Sequence, residues 1–323
     1  MKNMSFTRDE IKRHLQANGA EQQELFKHAR QVRNEAGGDG LNIRGVIELS
    51  NRCAENCLYC AMRRDNHLLD RYDLDEEAVV AAAGQIINSG IPTVFMQSGE
   101  SAKCAVLLES VIPKIFSKHR CDILLCAGKK SAETYKRYKE AGTTGYILKF
   151  EAANPSLYEN ATGASYEERL SCIRDIRSAG MKLGTGNILG LPNQTLDDIA
   201  DDILLAIELS PDYVSVAPFI PNQGTPYENA SKGDINLTLN VMAIWRIAFP
   251  DALIPTVSAL EYIHPDGQAA GLSAGANVIT VNFTPKQNRD KYAIYAKDRF
   301  VVGLEHAYKT ARRAGMSLNM RKK

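Results

Sequence analysis

The sequence lacks any apolar stretch long enough to cross a membrane. No run of about 18 apolar residues occurs, and the first residues, MKNMSFTRDEIKRHL, do not contain the apolar core of a signal peptide. An excess of one charge is also absent, because 39 Lys and Arg residues stand against 38 Asp and Glu residues. We therefore expect a cytoplasmic protein that binds neither nucleic acid nor a membrane.

Cysteine is too scarce for a disulfide framework. The chain has seven cysteines, an odd number, in 323 residues, whereas disulfide scaffolds are small secreted chains. Four cysteines stand singly in apolar or helical surroundings, where a buried reduced thiol is common: Cys104, Cys121, Cys126 and Cys172. The other three follow the pattern C-x3-C-x2-C and require a chemical explanation: Cys53, Cys57 and Cys60.

Short β-rich runs alternate with helical patterns along the chain. Two helical segments, TRDEIKRHLQ and EQQELFKHARQVRNEAG, come first. The candidate strands are GVIELS, TVFMQSG, DILLCAG, GYILKFE, KLGTGNILG, YVSVAPF, IPTVSA and NVITVN. Eight such units predict one parallel α/β fold of the TIM type, a (β/α)8 barrel, with a doubly wound open sheet as the alternative. We predict an N-terminal helical extension over residues 1–40 and the barrel over residues 41–323.

The three clustered cysteines come directly after the first predicted strand, GVIELS. Barrels of this type place their chemistry at the carboxyl ends of the strands, so the thiols are expected at that face. A zinc site with His67 as its fourth ligand is one interpretation. Three cysteines without a close fourth also suit a 4Fe–4S cluster that leaves one iron open to a small molecule.

The motif CAENCLYC, with Tyr59 before its last cysteine, resembles the signature of the radical S-adenosylmethionine (SAM) superfamily. The resemblance implies two cofactors, one 4Fe–4S cluster and SAM. It also implies a reaction in which one electron cleaves SAM to methionine and a 5′-deoxyadenosyl radical. The barrel position of the cysteines agrees with this interpretation independently.

The resemblance extends to residues that would hold SAM. The sequence QSGE follows the second strand, where Gly99 would permit close backbone approach and Glu100 would bind the ammonium group of SAM. Glu151 ends the fourth strand, and Arg169 would pair with the methionyl carboxylate. Without the resemblance, QSGE also suits an ordinary turn between a strand and a helix, and Arg169 also suits the surface of a helix. The complete set expected to bind SAM is Tyr59, Gln97, Ser98, Gly99, Glu100, Glu151 and Arg169.

Longer matches, among them GLPNQTLDDIADDIL and PFIPNQGTP, resemble one subgroup of the superfamily. It contains the maturase of FeFe hydrogenase and methylornithine synthase, with biotin synthase as a more distant relative. Two departures are visible. Lys149 stands where the maturase has an arginine, and Ser215 and Ala259 stand where methylornithine synthase would use charged residues to bind its substrate.

Polar residues near the predicted strand ends are candidates for the substrate pocket. Lys149 and Glu261 would bind a zwitterionic amino acid or its metal complex, or else pair with each other. Tyr292 and Tyr295, in RDKYAIYAKD, would close the barrel, or else form one apolar face of a helix. These four are the predicted catalytic residues. Further pocket candidates are Gln97, Ser98, Cys126, Tyr213, Thr256, Ser258, Thr280 and Asn282.

The leading functional prediction is a hydrogenase maturase that acts on an iron–cysteine complex or another small amino-acid-derived substrate. Its expected electron donor is a reductant such as ferredoxin or flavodoxin. One alternative is an amino-acid radical mutase of the methylornithine synthase type. An alternative of another class is a non-catalytic iron–sulfur scaffold or carrier, which would leave QSGE, Glu151 and Arg169 without a role.

Overall fold

The computed structural model describes residues 6–321 of the chain. Its core is one sheet in which neighbouring strands are parallel, in the order β6-β5-β4-β3-β2-β1-β7. The strands are β1 (Gly40–Ser50), β2 (Thr93–Ser98), β3 (Asp122–Cys126), β4 (Gly145–Ile147), β5 (Lys182–Leu189), β6 (Tyr213–Pro218), β7 (Val278–Asn282) and β8 (Ser317–Asn319). The short β8 lies off this path and pairs with the start of β1.

The sheet curls into a barrel that a short extended segment completes. Leu253 pairs with Tyr213 of β6, and Pro255 pairs with Val278 of β7, both in parallel. The predicted strand IPTVSA is therefore reduced to isolated bridges. Pro255 has no backbone N–H to donate to a ladder, and the chain turns into a helix at Ser258. The predicted parallel α/β barrel is confirmed, with seven regular strands and one irregular position.

Helices surround the barrel and connect its strands. They are α1 (Arg8–Leu15), α2 (Gly19–Gly37), α3 (Glu76–Asn88), α4 (Ala102–Lys118), α5 (Ala132–Glu140), α6 (Pro155–Thr162), α7 (Tyr166–Ser178), α8 (Leu196–Leu209), α9 (Ile235–Ala248), α10 (Ser258–Ile263), α11 (Gly267–Ser273), α12 (Lys286–Arg289) and α13 (Leu304–Arg313). Polar caps define several starts. Thr7 and Glu10 form a capping box at α1, and Thr195 and Asp198 form one at α8. No helix of residues 6–321 is long and apolar enough to span a bilayer.

The two N-terminal helices pack on the barrel. Helix α1 contacts α8 and α9, and α2 contacts α9 and α11. Their apolar residues, among them Ile11 and Phe26, belong to the same buried cluster as the residues between sheet and helices. Strand β1 begins at Gly40, next to the predicted boundary, and the division into an extension (1–40) and a barrel (41–323) stays a proposal. Residues 1–5 and 322–323 of these ranges lie outside the described residues.

The barrel interior is filled on one level by apolar side chains. Val46, Phe95, Leu124, Ile147 and Tyr213 come from five different strands and form one buried cluster. Because the strands are parallel, all of them end at the same rim, where the loops that follow converge. The clustered cysteines follow β1 at this rim, and QSGE overlaps the end of β2.

Candidate active site

The three clustered cysteines lie in a loop between β1 and α3, which we call the cysteine loop (residues 51–72). All three are free and partly buried. The end of β2 holds the loop in place: Ala54 N donates to Glu100 O at 2.7 Å, and Glu100 N donates to Cys53 Sγ at 3.3 Å. A thiolate at Cys53 would therefore have a backbone donor already directed at it.

Burial affects the ionisation of the three cysteines in the cysteine loop. Burial, together with the neighbouring Cys53, raises the pKa of Cys57 to about 12, and burial raises the pKa of Cys53 and Cys60 as well. Without a cation the three thiols would keep their protons at neutral pH. Iron would provide the positive charge that holds them as thiolates.

The cysteine loop does not form a single-ion site. In residues 6–321 no three His, Cys, Asp or Glu side chains surround one point as ligands of one ion. A closed zinc site needs four ligands at about 2.0–2.3 Å from one ion, and His67, its proposed fourth ligand, is exposed. The Cys3His zinc interpretation is therefore wrong for this structure, whereas in a cubane each cysteine binds a different iron.

Gly99 and Glu100 lie beside the cysteine loop at the end of β2. A Cβ atom at Gly99 would overlap the carbonyl oxygen of Arg52 and lie 2.8 Å from Cys53 Cβ, so the close contact requires glycine. Glu100 Oε2 accepts a hydrogen bond from Lys129 N at 2.7 Å. Burial raises the pKa of the Glu100 carboxyl, and a cationic ligand group would favour its ionised form.

Glu151 follows β4 in a backbone conformation that is uncommon for a residue other than glycine, with φ of +65°. Two hydrogen bonds to β5 fix it: Glu151 N donates to Gly186 O at 3.0 Å, and Ile188 N donates to Glu151 O at 2.9 Å. Lys149 Nζ lies 3.1 Å from Glu151 Oε2. The carboxylate neighbour of Lys149 is thus Glu151.

Arg169 reaches the same place from α7. Its guanidinium lies over the ring of Tyr158, 5.7 Å from the centroid. Arg169 Nε is buried and makes no hydrogen bond within the protein, whereas Glu151 Oε2 has the Lys149 ammonium beside it. Buried polar atoms are rarely left unsatisfied, so Arg169 Nε fits a site whose ligand supplies the missing partner.

These residues surround one open cavity at the carboxyl ends of the strands. It encloses about 1010 Å³ of space free of protein atoms, including its mouth. Cys126, Phe219 and Asn222 also line it. Ten of the fourteen predicted site residues line this cavity: Cys57, Tyr59, Cys60, Gln97, Ser98, Lys149, Glu151, Arg169, Tyr292 and Tyr295. Cys53, Gly99 and Glu100 contact one another beside it.

Glu261 is the exception, and the structure corrects its predicted place in the pocket. It lies on α10, and its carboxylate accepts hydrogen bonds from Asp266 N at 3.2 Å and Gln268 N at 3.0 Å. It therefore binds the backbone at the start of α11. Its side chain neither lines the cavity nor pairs with Lys149.

A second, adjoining cavity of about 560 Å³ contains other predicted pocket residues. Gln97 and Tyr295 line both cavities. In the second cavity Arg44 Nε donates to Thr280 Oγ1 at 2.8 Å, and its guanidinium lies over the Phe95 ring. The predicted residues found here are Thr256, Ser258, Thr280 and Asn282. Arg44 and Glu48 also line the second cavity. They were not predicted, because they lie within β1, whose other residues are mostly apolar.

Tyr292 and Tyr295 lie in a segment without regular structure, residues 290–300, which we call the tyrosine segment. The alternative of one helical face is therefore wrong. Two contacts hold the segment over the barrel: Asn51 Nδ2 donates to Lys291 O at 2.7 Å, and Arg299 Nη2 donates to Glu48 Oε2 at 2.6 Å. These long-range contacts have no local signature in the sequence.

Known proteins resemble this chain along most of its length. The model of the radical SAM superfamily matches residues 47–206. The [FeFe] hydrogenase maturase subunit HydE of Thermotoga maritima is 40% identical over 292 residues, 90% of this chain and 84% of that protein. A biotin synthase of Clostridium botulinum is 27% identical over 261 residues, 79% of this chain and 81% of that protein. The crystal structure of methylornithine synthase (PylB) shares the fold, with a TM-score of 0.84 at 22% identity, over 98% of this chain and 95% of that chain.

Proposed function

The chain belongs to the radical SAM superfamily, in the subgroup of HydE, methylornithine synthase and biotin synthase, and on this basis we propose that it is an [FeFe] hydrogenase maturase. The observation that carries the proposal is the 40% identity to HydE, against 27% to biotin synthase. The cofactors are a 4Fe–4S cluster and SAM, which when bound supply a 5′-deoxyadenosyl radical through one-electron cleavage of SAM.

In this proposal Cys53, Cys57 and Cys60 are the protein ligands of the cluster. The backbone N–H of Glu100 directed at Cys53 Sγ supports the assignment, because hydrogen bonds to the ligating sulfur atoms hold and tune such clusters.

The groups that would bind SAM come from the ends of four strands and from α7. Glu100 and Glu151 offer partly buried carboxylates to its ammonium and ribose groups. Arg169 offers a guanidinium whose Nε has no partner within the protein, and this fork suits the methionyl carboxylate. The apolar wall formed by Ile188 and Phe219 suits the adenine ring and excludes water from it.

The substrate would occupy the rest of the cavity, beside Lys149, Tyr292 and Tyr295. Lys149 would orient an anionic group of a small amino-acid-derived or iron–cysteine substrate, with Glu151 holding its ammonium. We further propose that ferredoxin or flavodoxin donates the electron and that the enzyme acts in the cytoplasm.

Complementation tests the assignment as a maturase. A host that contains an [FeFe] hydrogenase and its other maturases, but lacks HydE, receives this gene or its Cys57→Ser variant. We expect hydrogen evolution from the first and none from the second, with equal amounts of both proteins. Failure of the wild-type gene to restore hydrogen evolution would contradict the proposal.

Purified enzyme separates the remaining functions. Reduced, cluster-loaded protein is given SAM with either a cysteine-bound iron complex or lysine, and 5′-deoxyadenosine is quantified. The maturase proposal expects the iron complex to raise the yield. A rise with lysine alone would indicate a mutase of the methylornithine type. An intact cluster without any 5′-deoxyadenosine would indicate a scaffold or carrier.

A further inference from the structure

Arg71 lies near the end of the cysteine loop and makes four hydrogen bonds to backbone carbonyl groups of that same loop. The four acceptors, with their distances, are Asn51 O (2.6 Å) and Met62 O (2.9 Å) for Nη1, and Arg63 O (2.6 Å) and Asn66 O (3.0 Å) for Nη2. Asn51 precedes Cys53 by two residues, and Met62 follows Cys60 by two. One side chain therefore joins the backbone before the first cysteine to the backbone after the last.

Arginine is suited to this arrangement by its shape. The planar guanidinium presents its donors in a fixed fork, so both terminal nitrogens bind two carbonyl groups each without a further conformational cost. A lysine has a single ammonium group on a flexible stem and would not reach four separated carbonyl oxygens. The loop between the acceptors has no regular secondary structure of its own. The four bonds to Arg71 therefore take the place of the backbone hydrogen bonds that a strand or helix would make.

The charge of Arg71 lies against backbone groups two residues from the first and the last of the three cysteines. Within residues 6–321 Arg71 forms no ion pair with a carboxylate. Cys53 and Cys60 interact favourably with the Arg71 guanidinium once they are ionised, as they would be when they bind iron. A fixed positive charge at this position stabilises thiolates and an electron-rich cluster, because reduction potentials rise with nearby positive charge.

We propose that Arg71 is a positioning residue for the cluster: it clamps the cysteine loop from both sides and raises the reduction potential of the bound cluster. The proposal rests on the function proposed above, because it requires that the three cysteines hold a 4Fe–4S cluster. It assigns a role to a residue outside the cysteine motif and outside the groups directed at SAM.

Two variants separate the clamp from the charge. Arg71→Lys keeps the positive charge but loses most of the hydrogen bonds, and Arg71→Gln loses both. Arg33→Lys is the matched control. Arg33, like Arg71, donates to backbone carbonyl oxygens, those of Leu272 and Ala276, but it is buried on the outside of the barrel. The Arg33→Lys variant shows how a general loss of stability, away from the cysteine loop, affects iron release and the midpoint potential.

Iron release from the loaded proteins to a ferrous chelator is followed anaerobically, and the midpoint potential is measured by an EPR-monitored titration. We expect both Arg71 variants to release iron roughly tenfold faster or more, as is typical when outer-shell partners are lost. The potential should become more negative in Arg71→Gln and stay near the wild-type value in Arg71→Lys. Arg33→Lys should resemble the wild type in both measurements.

A measurement on the metal-free protein tests variants that do not take up the cluster. In the apo-protein, alkylation of the cysteine thiols by iodoacetamide should be faster in Arg71→Gln than in Arg33→Lys at equal melting temperature. Wild-type release rates in both Arg71 variants, or equal acceleration in Arg33→Lys, would overturn the proposal while the cluster assignment stands. A wild-type protein that holds no 4Fe–4S cluster would instead overturn the proposed function, and this inference with it.

Discussion

Arg299 Nη2 lies 2.6 Å from Glu48 Oε2 within the barrel, and their side chains are only 7% and 1% exposed. The pair ties the tyrosine segment to β1, 251 residues away along the chain. Glu48 Oε1 is buried and has no hydrogen-bond partner. The carboxylate therefore depends on Arg299 for most of the compensation of its charge.

Loss of Arg299 alone should destabilise the protein strongly. Arg299→Met leaves the Glu48 carboxylate buried without its cation, and we expect the free energy of unfolding to fall by about 3–5 kcal/mol. The double variant Glu48→Gln, Arg299→Met should recover much of this loss because no unpaired charge remains. Urea unfolding measures both. A double variant as unstable as Arg299→Met would show that the charge is not the cause.

Replacement of one clustered cysteine should abolish the cluster without unfolding the protein. Cys57→Ser removes one of three iron ligands, and we expect loss of the cluster's visible absorption and of bound iron after reconstitution. Cys121→Ser is the control, because Cys121 is a free, buried cysteine that precedes β3 at the opposite end of the barrel. Equal iron content in these two variants would refute the ligand assignment.

Gly99 tests the contact between β2 and the cysteine loop. In Gly99→Ala the new methyl group would overlap the carbonyl oxygen of Arg52, so the loop must move away from β2. We expect iron loading and SAM binding to fall by roughly 10-fold or more, as for other losses of outer-shell support. Gly37→Ala, at the end of α2, meets no atom within 4 Å and should load normally. Normal loading of both proteins would contradict the tight contact.

The stability of the protein should depend on the ionisation of Asp202. Burial raises the pKa of this residue to about 8, against about 3.9 in an unfolded chain. Between these pH values the folded state binds more protons than the unfolded state, so its stability falls as the pH rises from about 4 to about 8. Asp202→Asn removes this contribution.

Urea unfolding of both proteins at about pH 5 and about pH 8.5 measures the effect. The unfolding free energy of Asp202→Asn relative to wild type should increase between the two conditions. Asp202 accepts hydrogen bonds from Ala153 N and Asn187 Nδ2. Ala153 follows Glu151 by two residues, and Asn187 pairs with Glu151 from β5. A difference that does not change with pH would show that Asp202 is ionised throughout.

The sequence predicted those parts of the site that depend on local pattern. The strand GVIELS placed the cysteines at the rim, and the small residue Gly99 indicated close backbone approach. Alternation of strands and helices predicted a parallel sheet, because each βα unit has only one favoured hand, and the number of eight units favoured the barrel over a doubly wound open sheet. The prediction of a regular strand at IPTVSA was wrong. It followed the apolar residues of this stretch, whereas Pro255 within it interrupts the ladder of backbone hydrogen bonds.

The remaining features depend on contacts between distant parts of the chain. Glu261 was placed in the pocket from its position after a predicted strand, but the backbone at Gln268 binds its carboxylate. Arg71 lies in a polar loop whose composition predicts a solvated side chain, and only the folded loop brings four carbonyl groups to it. The pairing of Arg299 with Glu48 likewise has no local signature.

Anaerobic cleavage of SAM tests the central claim most directly. The cluster is reconstituted, reduced with a low-potential donor and mixed with SAM, and 5′-deoxyadenosine and methionine are quantified for the wild type and Cys57→Ser. The account predicts equimolar products from the wild type and none from the variant. A wild-type protein that holds an intact, reducible cluster and still forms no 5′-deoxyadenosine would contradict it.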